Sequence, residues 1–183
     1  TETAQGVEGA EVILEGGISN NSLITLVDHS SANGVYGFFS ALPAFSDVTI
    51  TPIYNGDPLN GVNTWDLVLI SRHILGLEPL NSPYKIIAAD ANKSGTVSTF
   101  DIVELRKLIL GAYTDLPSNN SWRFVDAAQV FTVPENPFAD TIREVWYGTE
   151  LFANYYDANF VGVKIGDVDN SVVPGNLVAT DDR

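Results

Sequence analysis

The chain has 183 residues, of which 23 are acidic and 9 basic, giving a formal net charge of −14 at pH 7. That balance opposes binding to nucleic acid or anionic membranes, which need basic patches, and favours divalent cations. The length allows one large or two small domains with a real core, no window approaches 18 consecutive apolar residues as a membrane span would, and there is no cysteine to form a disulfide.

There is no methionine either and residue 1 is Thr, so the chain reads as a mature or excised piece whose targeting segment is gone. Residues 1 to 54 read as β. Glu11–Glu15, Ser22–Val27, Val35–Phe39 and Val48–Ile53 are short runs rich in β-branched and aromatic residues, divided by Gly, Asn, Ser and Pro clusters. The phrases Gln5-Gly6-Val7-Glu8-Gly9-Ala10-Glu11-Val12, Asn33-Gly34-Val35-Tyr36-Gly37-Phe38 and Ala41-Leu42-Pro43 resemble prealbumin-like repeats of carboxypeptidase regulatory domains and collagen-adhesin B-type stalks. The resemblance implies an Ig-like or prealbumin-like β-sandwich over residues 1–54, acting as a spacer. It would place Gly34 at a turn and Tyr36 and Phe38 on one strand face.

Next comes a loop that offers oxygen donors at Asp57, Asn63 and Asp66, with Asn55 as a further one, but Leu59 interrupts the set with no ligand oxygen. Asn63 three residues before Asp66 gives a helix N-cap with an acidic N3 residue. Leu67, Ile70 and Ile74 then recur at helical spacing, and Gly76 suits a left-handed C-cap.

Glu78 to Tyr84 is a connector containing Pro79 and Pro83. Residues 81–89 hold that proline and no helical stripe, which predicts no helix entering the next loop. That loop, residues 90–101, places oxygen-bearing residues at positions 1, 3, 5, 9 and 12 and Gly95 at position 6, the ligand order of an EF-hand calcium loop. Calcium would take carboxylates from Asp90 and Asp101, side-chain oxygens from Asn92 and Ser94, the carbonyl of Thr96 and a water held by Ser98. A solvated Asx-rich turn is the alternative.

The motif is duplicated. Val62-Asn63-Thr64-Trp65-Asp66 recurs 35 positions later as Val97-Ser98-Thr99-Phe100-Asp101, and Ile74-Leu75-Gly76 recurs as Ile109-Leu110-Gly111. With Ile102, Leu105 and Ile109 matching the first stripe, two loop–helix units related by a pseudo-twofold are expected.

Over residues 55–111 this duplicated loop, with Asp at position 12 and a short helix ending in Leu-Gly, resembles a dockerin, the module that plugs into cohesin domains in bacterial extracellular assemblies. The resemblance implies a partner-binding role for Thr64, Trp65, Thr99 and Phe100 in the loops and for Arg72, Arg106 and Lys107 on the helices. Burial against neighbouring segments is the other reading of Trp65 and Phe100.

The third region carries Ser121–Val125, Val133–Phe138, Arg143–Tyr147 and Ala158–Ile165, the last expected as a strand. Trp122, Phe124, Phe131, Phe138, Trp146, Tyr147, Phe152 and Phe160 are expected to build a joint core. Near the end, Gly166-Asp167-Val168-Asp169-Asn170-Ser171 resembles the opening half of a dockerin loop, with no glycine or helix after it. We therefore expect the chain to return and lend Asp167 and Asp169 to a metal held by Asp66; a solvated turn is the alternative. Calcium repeats followed by Trp122-Arg123-Phe124-Val125 and Val163-Lys164-Ile165-Gly166-Asp167-Val168 resemble extended dockerin-like modules of Bacteroidetes-type secreted proteins.

The expectation is an α+β chain: a spacer over 1–54, an extended dockerin-like calcium domain with additional strands over 55–174, and a linker or assembly tail over 175–183. One calcium is assigned to the second loop, and the first loop is the place for a second. His29 in a polar turn and His73 in a helix suggest no catalysis, and nucleophile elbow, zinc helix and phosphate loop are missing from the sequence. Two non-catalytic roles follow for a secreted or cell-surface bacterial protein: a calcium-binding fibre subunit joining copies of itself, or an adaptor docking onto a cohesin-like receptor, without membrane insertion in either case.

Overall fold

The computed structural model describes residues 1–19, 22–39, 42–151 and 157–174. Alternating apolar residues set the first sheet. Val12 and Leu14 of β1 (Glu11–Ser19) pair with Pro52 and Ile50 of β3 (Ser46–Ile53), and β2 (Ser22–His29) flanks β1 on its other edge. Val12, Leu14, Val48 and Ile50 are buried together on one face. The segment 35–39 is not a strand, contrary to the sequence reading. Tyr36 and Phe38 nevertheless pack edge-to-face at 6.1 Å over that core, and the Tyr36 hydroxyl donates to the Ala158 carbonyl.

The two loop–helix units become α1 (Thr64–Ile74) and α3 (Thr99–Ile109), whose stripes meet. Leu67, Ile70 and Leu105 are buried, with Ile74, Ile102 and Ile109 packed around them. Between them lies a helix the sequence reading excluded, α2 (Pro83–Ala89). Pro83 occupies its first turn, where the missing N–H costs nothing, and Ser82 caps it by accepting from the Tyr84 N–H at 3.1 Å. No stripe was visible because Ile86, Ile87, Ala88 and Ala89 are all buried.

The C-terminal region adds an antiparallel ladder of β4 (Trp122–Asp126) and β6 (Phe160–Lys164). Its other strand, β5 (Trp146–Leu151), leaves the ladder and pairs with β3, making a four-stranded sheet in the order β2-β1-β3-β5. The N-terminal sheet thus crosses the expected division at residue 54. Trp122 and Phe124 are buried, Phe131 and Phe138 pack on the helical core, and Trp146 and Phe160 pack on the sheet core. Tyr147 departs from that expectation, standing 68% exposed on the β5 edge. Phe152 and the tail 175–183 lie outside the described residues.

Candidate metal centre

Each half of the contiguous loop is organised by one carboxylate. Asp90 accepts from the Ser94 N–H at 2.8 Å and the Gly95 N–H at 2.9 Å, and the Asn92 side chain also accepts from Ser94 N–H at 3.0 Å. Asp101, at position 12, accepts from the Ser98 N–H at 2.8 Å, closing the capping box of α3, and from the Asn92 N–H at 3.2 Å. The Ser94 hydroxyl donates to the Thr96 carbonyl at 3.2 Å, so the position-5 and position-7 oxygens converge. Lys93 at position 4 and Gly95 at position 6 both take positive φ, 56° and 77°, which turns the chain around this oxygen set.

The same arrangement is built a second time from two distant segments. Asp66, Asp167 and Asp169 bring one ligand oxygen each to within 4.8 Å of the others. Asp167 accepts from the N–H groups of Ser171 at 3.0 Å and Val172 at 2.9 Å, as Asp90 does from Ser94 and Gly95. Asp169 accepts from the Ser171 N–H at 2.9 Å, as Asn92 does from Ser94. Asp66 accepts from the Asn63 N–H in its own capping box and from the Val168 N–H, both at 2.9 Å. Asn170, at φ 62°, repeats the turn at Lys93. The Ser171 hydroxyl donates to the Gly61 carbonyl at 2.9 Å, repeating the bond from Ser94 to Thr96. Positions 1, 3 and 5 thus come from Asp167, Asp169 and Ser171, and positions 7, 9 and 12 from Gly61, Asn63 and Asp66.

Asp57 is not part of this group. It is exposed, in a turn where its carbonyl accepts from the Asn60 N–H at 3.2 Å, and Asn55 accepts instead from the Ser121 N–H at 2.7 Å. With Leu59 unable to supply position 5, the first loop draws its opening half from the C-terminal segment. Gly61 permits the approach: at φ 79°, any Cβ there would lie 2.6 Å from the Val172 nitrogen. Asn60 completes the seam, donating to the Val173 carbonyl at 2.9 Å and accepting from its N–H at 3.2 Å. Sequence reasoning missed Ser171 and the Gly61 carbonyl. An oxygen at the fifth place of the run Asp167 to Ser171 was the available signal, masked by Val172 standing where a contiguous loop needs glycine.

Asp66, Asp90, Asp101 and Asp167 are each at most 3% exposed. No ion pair reaches any of the four among the described residues. Burial raises Asp66 and Asp101 above the usual carboxylate range and pushes Asp167 up to about 6. The fully buried Lys164, lowered to about 7 by desolvation, lies in the field of Asp167, Asp57 and Asp66, with its ammonium donating to the Pro58 carbonyl at 2.7 Å. Buried carboxylates are costly without a counter-ion, and a hard divalent cation with six to eight oxygen ligands fits both donor sets.

On the outer helix faces Thr64, Thr99 and Arg106 are exposed, as are Trp65 at 52% and Phe100 at 72%. The aromatic pair is therefore not core. Arg72 pairs with Glu78 at 2.6 Å, and Lys107 reaches Glu104 at 3.1 Å and the Tyr113 hydroxyl at 3.0 Å. Val68, Leu75, Val103 and Leu110 are also exposed, extending each aromatic into a matching apolar stripe that the sequence reading did not select. His73 accepts from the Leu80 N–H at 3.1 Å, a structural bond, and His29 ends β2 beside Glu11.

The family model for the dockerin type I domain matches residues 54–110. No curated protein and no solved structure matches the chain. The matched stretch holds α1, α3, the contiguous loop and half of the split loop. The other half, residues 167–171, lies beyond it.

Proposed function

We propose that this chain is a non-catalytic, calcium-dependent docking protein of the cell exterior, whose dockerin-like module binds a cohesin-like domain through the outer faces of α1 and α3. The observation that carries this reading is the pairing of two calcium-type oxygen sets with two repeated apolar stripes, each begun by an exposed aromatic. Calcium, at the extracellular level of about 1 mM, would occupy even weak sites of this class, with dissociation constants of roughly 10⁻⁴–10⁻³ M. It would be held by Asp90, Asn92, Ser94, Thr96, Ser98 and Asp101, and by the split set around Asp66, and would neutralise the buried carboxylates at the start of each helix. Asp66 and Asp101 belong to both the oxygen sets and the capping boxes, so the metal and the helix start share one group. The four-stranded sheet would serve as the spacer.

The test is binding of the full chain to an immobilised panel of cohesin domains, in calcium and in chelator. Binding that needs calcium and is lost in the Trp65→Ser, Phe100→Ser double variant, with its melting temperature unchanged, supports the reading. Calcium-independent capture, or full binding by the double variant, refutes it.

A second reading rests on β2. Among the described residues it is an edge strand, without proline or lysine, and Leu23 and Val27 on it are exposed, a template for strand addition between copies in a fibre. Electron microscopy of the purified chain showing regular filaments would favour it over the adaptor.

A further inference from the structure

The two oxygen sets differ in what stands at position 6. In the contiguous loop it is Gly95, where an added Cβ would meet nothing within 4 Å; that loop has polar contacts outside itself, the Asn119 side chain donating to the Asp90 carbonyl at 3.1 Å and Lys93 pairing with Glu144 at 3.5 Å. In the split loop it is Val172, 7% exposed, whose side chain packs with Val7, Ala10, Trp122 and Phe124. Val7 and Ala10 lead into β1, Trp122 and Phe124 belong to β4, and Tyr54, just past β3, lies 6.3 Å from the Trp122 ring. This cluster joins the four-stranded sheet to the β4–β6 ladder, which packs in turn on α2 of the dockerin-like module. The N–H of Val172 donates to Asp167, and its neighbour Ser171 donates to Asp167, Asp169 and Gly61. One residue therefore has its backbone in the split oxygen set and its side chain in the joint.

The seam is also non-local. Asp66 and Val168, bonded to each other, are 102 positions apart. Without a cation, three carboxylates converge across it, and their like charges oppose the approach of the returning segment to α1. With one, the repulsion becomes shared ligation, and the segment from Asp167 to Val173 is held against residues 60–66.

We infer that the split loop is a calcium-operated clamp on the joint between sheet and docking module, with Val172 transmitting occupancy at Asp66, Asp167 and Asp169 to the Trp122 cluster. This rests on the calcium reading above. It adds that the two sites have different tasks: the contiguous loop supports its own helix, while the split loop fixes how the spacer and the docking surface are held together.

Hydrogen exchange on the full chain, in calcium and in chelator, separates the two ideas. At free calcium about tenfold above the dissociation constant, opening of a ligated segment is suppressed by about tenfold. That slowing is expected at residues 90–101, at 165–173, and also at the joint, in peptides covering 5–12 and 121–126. Asp169→Ala, at a half-buried position, should abolish the response at 165–173 and at the joint but keep it at 90–101; Asp101→Ala should do the reverse. Val172→Ala leaves every ligand in place. It should keep the response at 165–173 and lose it at 5–12 and 121–126. If 90–101 and 165–173 respond but the joint does not, the clamp is refuted and the calcium reading stands. If neither loop responds, the calcium reading fails and the clamp falls with it.

Discussion

Replacing Asp101 by Ala removes the position-12 carboxylate and both N–H bonds it accepts, from Ser98 and Asn92, while leaving the split set intact. Some loss of stability is expected even without calcium, because the capping box of α3 is broken. The informative quantity is the increment that calcium adds. At about 5 mM calcium and dissociation constants of roughly 10⁻⁴–10⁻³ M, one site adds about 1–2.3 kcal/mol by mass action. For 183 residues, an unfolding entropy of about 2.1 cal/mol/K per residue makes that about 2.5–6 °C per site and roughly 5–12 °C for two. Calorimetric melts of wild type and variant, each in calcium and in chelator, should show the increment falling by about half in Asp101→Ala. A wild-type increment of zero would refute calcium binding. An increment unchanged by the substitution would refute residues 90–101 as a site.

Mild acid should stabilise the metal-free form and not the calcium form. Burial disfavours the charge of the Asp167 carboxyl and pushes it up to about 6 in the folded chain, above the roughly 3.9 of a solvated aspartate. Between about pH 4 and 6 the folded metal-free chain therefore holds more protons than the unfolded one, and this group makes stability rise as pH falls through that window. In the calcium form the carboxylate is held ionised, so this group adds no such gain between about pH 6 and 4, and its contribution falls only below about pH 4, where the unfolded carboxyl takes up a proton. Urea titrations at several pH values, with and without calcium, check that the rise is confined to the metal-free arm, and Asp167→Asn should flatten that arm. Gly61→Ala forces a Cβ into a left-handed position, 2.6 Å from the Val172 nitrogen. A loss of about 1–3 kcal/mol is expected. Calcium stoichiometry by calorimetry should fall to one, the contiguous loop being retained.

Features whose causes lie within a dozen residues were legible in the sequence. The caps at Asn63 and Ser98, their partners Asp66 and Asp101 and the glycine ends of both helices are local, and all take the expected form; the oxygen order from Asp90 to Asp101 is local as well. The reading failed where two local rules competed. Pro83, a helix breaker elsewhere, stands in the first turn of α2, where proline is welcome, and the run Ile86 to Ala89 is buried all round and so shows no stripe. The return of Asp167 and Asp169 to Asp66 was readable as half a loop without its ending. Its register was not, because Ser171 and Gly61 meet only through a close backbone approach between segments far apart in the chain. The pairing of β5 with β3 was equally invisible, since a strand's pattern states which face it buries and not which neighbour it joins. Local chemistry determined the helix caps and the oxygen order; the tertiary structure decided which half-loops combine, because hydrogen bonds and carboxylates find partners in space and not along the sequence.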